Sequence, residues 1–276
     1  MRKIIIDKGC MIIMKIMKKF IAGIKRYNTY VMYSTRANLK AEVAGSYLNW
    51  VWWVLEPLGM MIVYAVLFGW LFKQNIEFFP VFIFIGNAIW GFFSKVMSSS
   101  VSLMKMNETL ISKIYIPKYI LLLVEMLIDG FKMLIQFVLT AVLMIIFRVP
   151  VSLHVFWVIP VIMTLFVVTF GISSIMLDWG VYIDDLSHAI SIILTVWMYF
   201  SGIFFDIKTM VPEPASTVIY ILNPIAFLIA ATRDAVMYCR VPNLLELFIW
   251  MVLGLVLSGI GIKVIYKHEN DYVKRM

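Results

Sequence analysis

The sequence is short of charge. Only 14% of its 276 residues are Asp, Glu, Lys or Arg, where a soluble domain carries about a quarter. That nearly excludes a soluble enzyme, and a disordered chain as well. Cysteine is scarce too, with only Cys10 and Cys239, so a disulfide-stapled secreted fold is not expected. The three histidines, His154, His188 and His268, are scattered without ligand spacing, and no metal site is expected. No Gly-x-Ser-x-Gly elbow occurs. No phosphate-binding loop occurs either. The nearest glycine spacing is Gly254 and Gly259, with Ile260 where the lysine must stand. The chain therefore cannot cradle ATP phosphates, and any ATP-driven work must enter through a separate subunit. No cleaved leader is expected, because the apolar stretch at 4–17 is interrupted by Asp7, Lys8 and Lys15.

What is present is apolar. Hydrophobic residues make up 63% of the chain, and the mean hydropathy is +0.94. The expected class is an all-α polytopic membrane protein. About 20 residues cross a bilayer core, and six stretches qualify: 51–72, 79–103, 119–147, 153–177, 186–205 and 244–266. Pro160 is a candidate kink in the fourth. A further apolar stretch, 215–237, is long enough to span but carries Asn223-Pro224 in its middle. Proline removes a backbone donor and disfavours helix in the residue before it. Two short helices that dip in and return fit better than a seventh span.

Charge placement supports six spans. Residues 1–49 carry ten Lys/Arg against Asp7 and Glu42 alone. Ile13, Ile16, Met17, Phe20, Ile21 and Ile24 recur at helical spacing, with Lys15, Lys18, Lys19, Lys25 and Arg26 mostly opposite. That predicts a basic amphipathic helix suited to the membrane interface; the alternative is a solvated helix packed on the membrane domain. Six spans gather 17 basic residues on the side of both termini and five on the other, among them Lys73. The positive-inside rule then makes both termini cytoplasmic. In that topology Cys10 and Cys239 lie on opposite sides. Basic clusters of this kind report topology and anionic lipid, not nucleic acid.

Candidate functional residues fall into three groups. Glu125, Asp129 and Lys132 share one helix face inside a span. They read as a structural ion pair, a polar face on a conduit or a proton relay. Trp50, Trp52, Trp53, Trp70 and Phe72 form interface belts, whereas Trp90, Phe92 and Phe93 lie mid-span. Mid-span rings are core, or a slot for the apolar faces of sugars. The loop 104–118 reads Asn107-Glu108-Thr109-Leu110-Ile111-Ser112-Lys113-Ile114-Tyr115-Ile116-Pro117-Lys118. A short amphipathic helix with a proline stop fits it; an ordinary connector is the alternative.

Four blocks give the chain a family likeness. They are Gly45-Ser46-Tyr47-Leu48-Asn49-Trp50-Val51-Trp52 with Glu56-Pro57-Leu58, the loop ending Lys113-Ile114-Tyr115-Ile116-Pro117-Lys118, Val181-Tyr182-Ile183-Asp184-Asp185-Leu186-Ser187-His188, and Tyr220-Ile221-Leu222-Asn223-Pro224 followed by Phe227 and Arg233. In that order and spacing the chain resembles the membrane subunits of ABC-2 type exporters, specifically the polysaccharide, O-antigen and teichoic-acid permeases. The resemblance implies an interface segment at 1–49 and an ABC-2 transmembrane domain at 50–276. It implies a coupling helix seated in an ATPase groove, carried by Asn107, Leu110, Ile111, Lys113, Ile114, Tyr115 and Pro117. It implies an external gate hairpin at 206–240 built around Asn223, Pro224 and Arg233. Trp90, Phe93, Glu125, Asp129 and Lys132 become conduit candidates. A homodimer with two ATPase subunits holding ATP and Mg would export a polysaccharide or lipid-linked glycan across the bacterial plasma membrane. A drug or lipid exporter of the same superfamily is the nearest rival. A membrane-embedded glycan-modifying enzyme is the other, with Asp184 and Asp185 its only candidate carboxylate pair. Two positions depart from the family pattern: Asp184 stands where an arginine is usual, and Asn49 where glycine is.

Overall fold

The computed structural model describes residues 2–45, 47–71 and 76–275, with the side chains of 2–19, 71, 270 and 273–275 outside the description. What the sequence leads one to expect of Cys10, Ile13, Lys15, Ile16, Met17, Lys18, Lys19, Ser46, Phe72 and Lys73 therefore lies outside the described side chains. The described residues are helical, with no strand among them. The elements are α1 (Arg2–Ala44), α2 (Trp52–Tyr64, entered by a 3-10 turn at Asn49–Val51 and continued by a π-helix at Ala65–Leu71), α3 (Phe79–Met106), α4 (Glu108–Lys113) and α5 (Lys118–Ile146). Then come a 3-10 turn at Leu153–Trp157, α6 (Val158–Tyr182), α7 (Leu186–Tyr199), α8 (Ile207–Met210), α9 (Ala215–Leu222), α10 (Pro224–Val236) and α11 (Leu244–Arg275).

Among the described residues, five stretches are each long and apolar enough to cross a membrane, Asn49–Trp70, Phe79–Met106, Lys118–Ile146, Leu153–Tyr182 and Leu244–Glu269, and the bent pair Ala215–Leu222 and Pro224–Val236 is so when taken together. The protein is a multi-pass membrane protein. The fifth expected span, 186–205, forms a shorter helix that stops at Tyr199. Phe200 caps the helix, and two residues on the chain turns at Gly202, whose φ of +64° lies in the left-handed region that glycine enters freely. The chain nevertheless runs the length of α3. Asp184 pairs with Lys105 at one end of that helix. Gly202 and Ile203 share the Arg233 side chain with Phe82 at the other. Pro160 is no kink. It lies in the first turn of α6, where a missing N–H costs nothing.

The core is built around α3, the most buried of the long helices, which lies against α5, α6, α7 and α10. The tightest pair is α6 with α11. Small residues let their backbones approach: a Cβ on Gly171 would come within 2.8 Å of the Ser258 backbone, and one on Gly254 within 2.9 Å of Val168. The Ser258 hydroxyl donates to the Val167 carbonyl across the seam. In α1, Phe20, Ile24, Tyr27, Val31, Thr35, Leu39 and Val43 turn inward at three- and four-residue spacing, and the helix lies along α5 and α11. Lys25, Arg26, Arg36 and Lys40 stay exposed. The amphipathic pattern is present, and its apolar side packs on the protein's own helices. Asn49 has a φ of +50°, and Asn tolerates that region better than other residues with a side chain.

Candidate functional site

Three places gather the residues singled out by the sequence. The first is the turn between α3 and α5. Asn107 ends α3 by donating its side-chain amide to the Leu103 carbonyl, and its own carbonyl accepts from the Leu110 and Ile111 amides, which starts α4. Six residues of helix follow, and Pro117 begins α5. The knob has two sides. Ile111 is buried at 6% exposure, and Ile116 and Pro117 are buried with it. Glu108, Ser112, Lys113, Ile114 and Tyr115 point away, with Ile114 at 54% and Tyr115 at 64% exposure. So Ile111 fixes the knob to the bundle, and the open apolar surface is Ile114 and Tyr115. The Tyr115 hydroxyl donates to Glu269 on α11 at 3.2 Å. Burial, then the nearby Glu269 charge, holds that phenol above its ordinary pKa, so it remains a donor.

Behind the knob is a polar cluster that the sequence reading missed. Asp178 of α6 is buried and accepts from the Tyr272 hydroxyl at 2.6 Å; His268 Nδ1 lies 2.8 Å from the same oxygen. Burial and this hydrogen bond push the Tyr272 phenol up. These residues sit 90 and 94 positions apart in sequence, so no local spacing could have announced them. Asp184, in place of the usual arginine, pairs with Lys105 at 2.6 Å and is held below the ordinary carboxylate range by it.

The second place is the open side of α3. On a helix that is mostly buried, Gly91, Ser94, Lys95, Ser98, Ser102 and Lys105 stay accessible at helical spacing. Trp90, Ser94, Lys95 and Ser98 line a groove of about 300 Å³ with Ser191, Leu194, Thr195 and Met198 of α7. Lys95 and Ser98 also line a cleft of about 670 Å³ shared with α1 and α5, which holds Glu42, Glu125, Asp129 and Lys132. Lys132 bonds Glu42 at 2.7 Å and lies 3.7 Å from Asp129. The Glu42, Asp129 and Lys132 charges are thus tied across two helices and at the same time line an open cleft. Phe93 is not part of it: it is fully buried, edge-on to Trp197 at 5.1 Å. The serine row was readable as i, i+4 spacing, but the apolar count of the span hid it.

The third place is the bent segment. α9 and α10 meet at 102°. Asn223 makes the break: its side-chain oxygen accepts from the Ile225 and Ala226 amides, capping α10, with Pro224 at the first helical position. Its amide nitrogen donates to the Phe200 carbonyl at 3.1 Å. Arg233 is buried and donates to the carbonyls of Phe82, Gly202 and Ile203, with its guanidinium over the Phe82 ring. The two side chains therefore satisfy the carbonyls freed where α7 ends early, as non-helical backbone at such depth requires. Gly86 makes room, since a Cβ there would come within 2.8 Å of Arg233. Lys208 and Glu213 before the bend line one pocket with Asp234, Asn243 and Glu246 after it, so the residues flanking the bent segment lie close together.

Comparison with known proteins completes the picture. The model of the family described as "ABC-2 type transporter" matches residues 30–237. The chain is 26% identical over 262 residues to an O-antigen export system permease protein RfbA of Myxococcus xanthus, covering 94% of this chain and 99% of that protein. It is 26% identical over 241 residues to an O-antigen export system permease protein RfbA of Klebsiella pneumoniae, covering 87% and 92%. The match spans the knob, the open side of α3 and the bent segment alike. With the membrane helices, it makes this a transporter subunit that works with an ATPase partner, and the chain belongs to the ABC-2 type transporter family.

Proposed function

We propose that the chain is the permease half of an exporter for an O-antigen-like polysaccharide or other lipid-linked glycan in the bacterial plasma membrane. The observation that carries this is the row Gly91, Ser94, Lys95, Ser98, Ser102 and Lys105. A polar stripe on a membrane helix needs water or a polar partner beside it. Two copies set with these stripes face to face would enclose a hydroxyl-lined path, with Trp90, itself only 6% exposed, packed at its margin. Glu125, Asp129 and Lys132 border the same path. The names of the relatives support a glycan over a drug as cargo.

In this reading both termini are cytoplasmic, and Ile114 and Tyr115 seat the knob at 104–118 in an ATPase subunit. Two such subunits bind ATP and Mg, and their closure rocks the two copies. The segment 206–240, pinned by Asn223, Pro224 and Arg233, is the external gate. Two experiments test it, in a chain with Cys10 and Cys239 replaced by serine. A cysteine at the exposed Thr209 is expected to react with an impermeant thiol reagent added outside cells; reaction only in opened cells rejects the orientation. Ser98→Trp is expected to stop surface glycan while leaving chain and ATPase assembled. Normal glycan in that variant rejects the path.

A further inference from the structure

The flank of α1 away from the charged cleft holds a groove of about 700 Å³ between α1, α2, α5 and α6. Its wall is apolar: Leu39, Val43, Trp53, Leu127, Phe131 and Leu134 line it, and Trp53 meets Phe131 edge-on at 5.8 Å. Its rim is not. Arg36 and Lys40 sit one turn apart, both exposed, and both line the groove. Among the described residues no carboxylate lines it. The nearby acid of α1, Glu42, is bonded to Lys132 in the other cleft. Between wall and rim stands Thr35, 8% exposed, whose hydroxyl has no hydrogen-bond partner in the protein. A buried hydroxyl without a partner is costly in a membrane-facing site.

We infer that this groove binds one anionic glycerophospholipid per chain. An acyl chain covers the apolar wall, and the phosphate meets the Arg36 fork and the Lys40 ammonium, with the Thr35 hydroxyl donating to a phosphate or ester oxygen. Guanidinium and phosphate match in geometry as well as charge. The headgroup is anionic because a zwitterionic one brings an amine, and the rim offers no acid to receive it. The groove is distinct from the polar path on α3, so the lipid is a resident of the permease and not its cargo. The inference rests on the placement of α1 at the membrane interface that its basic pattern predicts. It is tested on the isolated permease, so failure to find an ATPase or a glycan would leave it standing.

The test is native mass spectrometry of delipidated permease in detergent, titrated with dioleoyl phosphatidylglycerol or dioleoyl phosphatidylcholine. The expected result is one retained phosphatidylglycerol per chain, with phosphatidylcholine bound at least tenfold more weakly. Each cation near an anionic lipid is worth roughly fivefold, so Arg36→Gln with Lys40→Gln is expected to weaken phosphatidylglycerol about 30-fold. Both side chains are exposed, so the variant keeps its melting temperature. Thr35→Val is expected to weaken binding by a smaller factor, about fivefold. Equal retention of the two lipids, or undiminished phosphatidylglycerol in the double variant, overturns the site. So does preferential displacement of the lipid by a long-chain polyprenyl diphosphate, which would make the groove a cargo site, or loss of the lipid when two copies associate.

Discussion

The bundle is interrupted near both of its ends, and the two interruptions are finished in opposite ways. At the bent segment, α7 stops early and α9 breaks from α10, yet the two side chains that hold the break are turned inward. Asn223 and Arg233 are buried and donate to carbonyls of Phe82, Phe200, Gly202 and Ile203. At the turn between α3 and α5, Ile111 and Ile116 are buried and the apolar pair between them, Ile114 and Tyr115, is left open. The first region closes on itself, which suits a part that must hold together while it moves. The second keeps unfilled apolar surface on a short rigid knob, which suits a part that another protein completes.

The comparison can be broken by substitution. The largest expected effect is at Arg233. Arg233→Leu strands at least two carbonyls in an apolar setting, at about 1–3 kcal/mol each, and is expected to lower stability by about 3–5 kcal/mol in thermal denaturation in detergent. Arg233→Lys should recover part of this, because a single ammonium cannot reach all three carbonyls. Next is Ile111→Asp, which removes a buried side chain worth about 1.5–3 kcal/mol and puts a charge in its place. It should melt early or fail to accumulate, whereas Ile114→Asp three residues on should melt within about 0.5 kcal/mol of the parent. Equal sensitivity at the two positions would erase the two-sidedness of the knob. Asn223→Ala removes a cap and a cross-link to Phe200, for about 1–2 kcal/mol.

The smallest effect is expected at the Lys105–Asp184 pair. Its carboxylate is 90% exposed and held below its ordinary pKa. A depressed carboxylate contributes stability above its unfolded pKa and loses it as pH falls through the folded value. Asp184→Asn should therefore be hard to distinguish from the parent at neutral pH, and any difference should vanish on acidification below the ordinary carboxylate range. An exposed pair contributes little in any case.

Much of this was legible in the chain. Run lengths of apolar residues gave the long spans, and Asn223-Pro224 gave the break, because cap and proline act within four residues of themselves. The knob was legible as an element but not in its orientation. Ile111 and Ile114 are alike in sequence, and only the packing of α4 on α3 and α11 separates them. The early end of α7 was not legible, because the groups that make it tolerable lie more than 20 residues away at Asn223 and Arg233. Asp178, His268 and Tyr272 escaped for the same reason. The α6–α11 seam was half visible: Gly254 was read only as a failed phosphate loop, when its meaning is the close approach to Val168.

The central claim is that the open side of α4 docks the ATPase that drives this permease. It is tested most directly by purifying the tagged chain from its own cells in mild detergent and measuring the ATP-binding-cassette subunit retained per permease. The parent and Arg233→Lys are expected to retain it in a one-to-one ratio, and Ile114→Asp to lose it while remaining folded and membrane-inserted. Retention undiminished in Ile114→Asp, or no such subunit with the parent intact, would contradict the account.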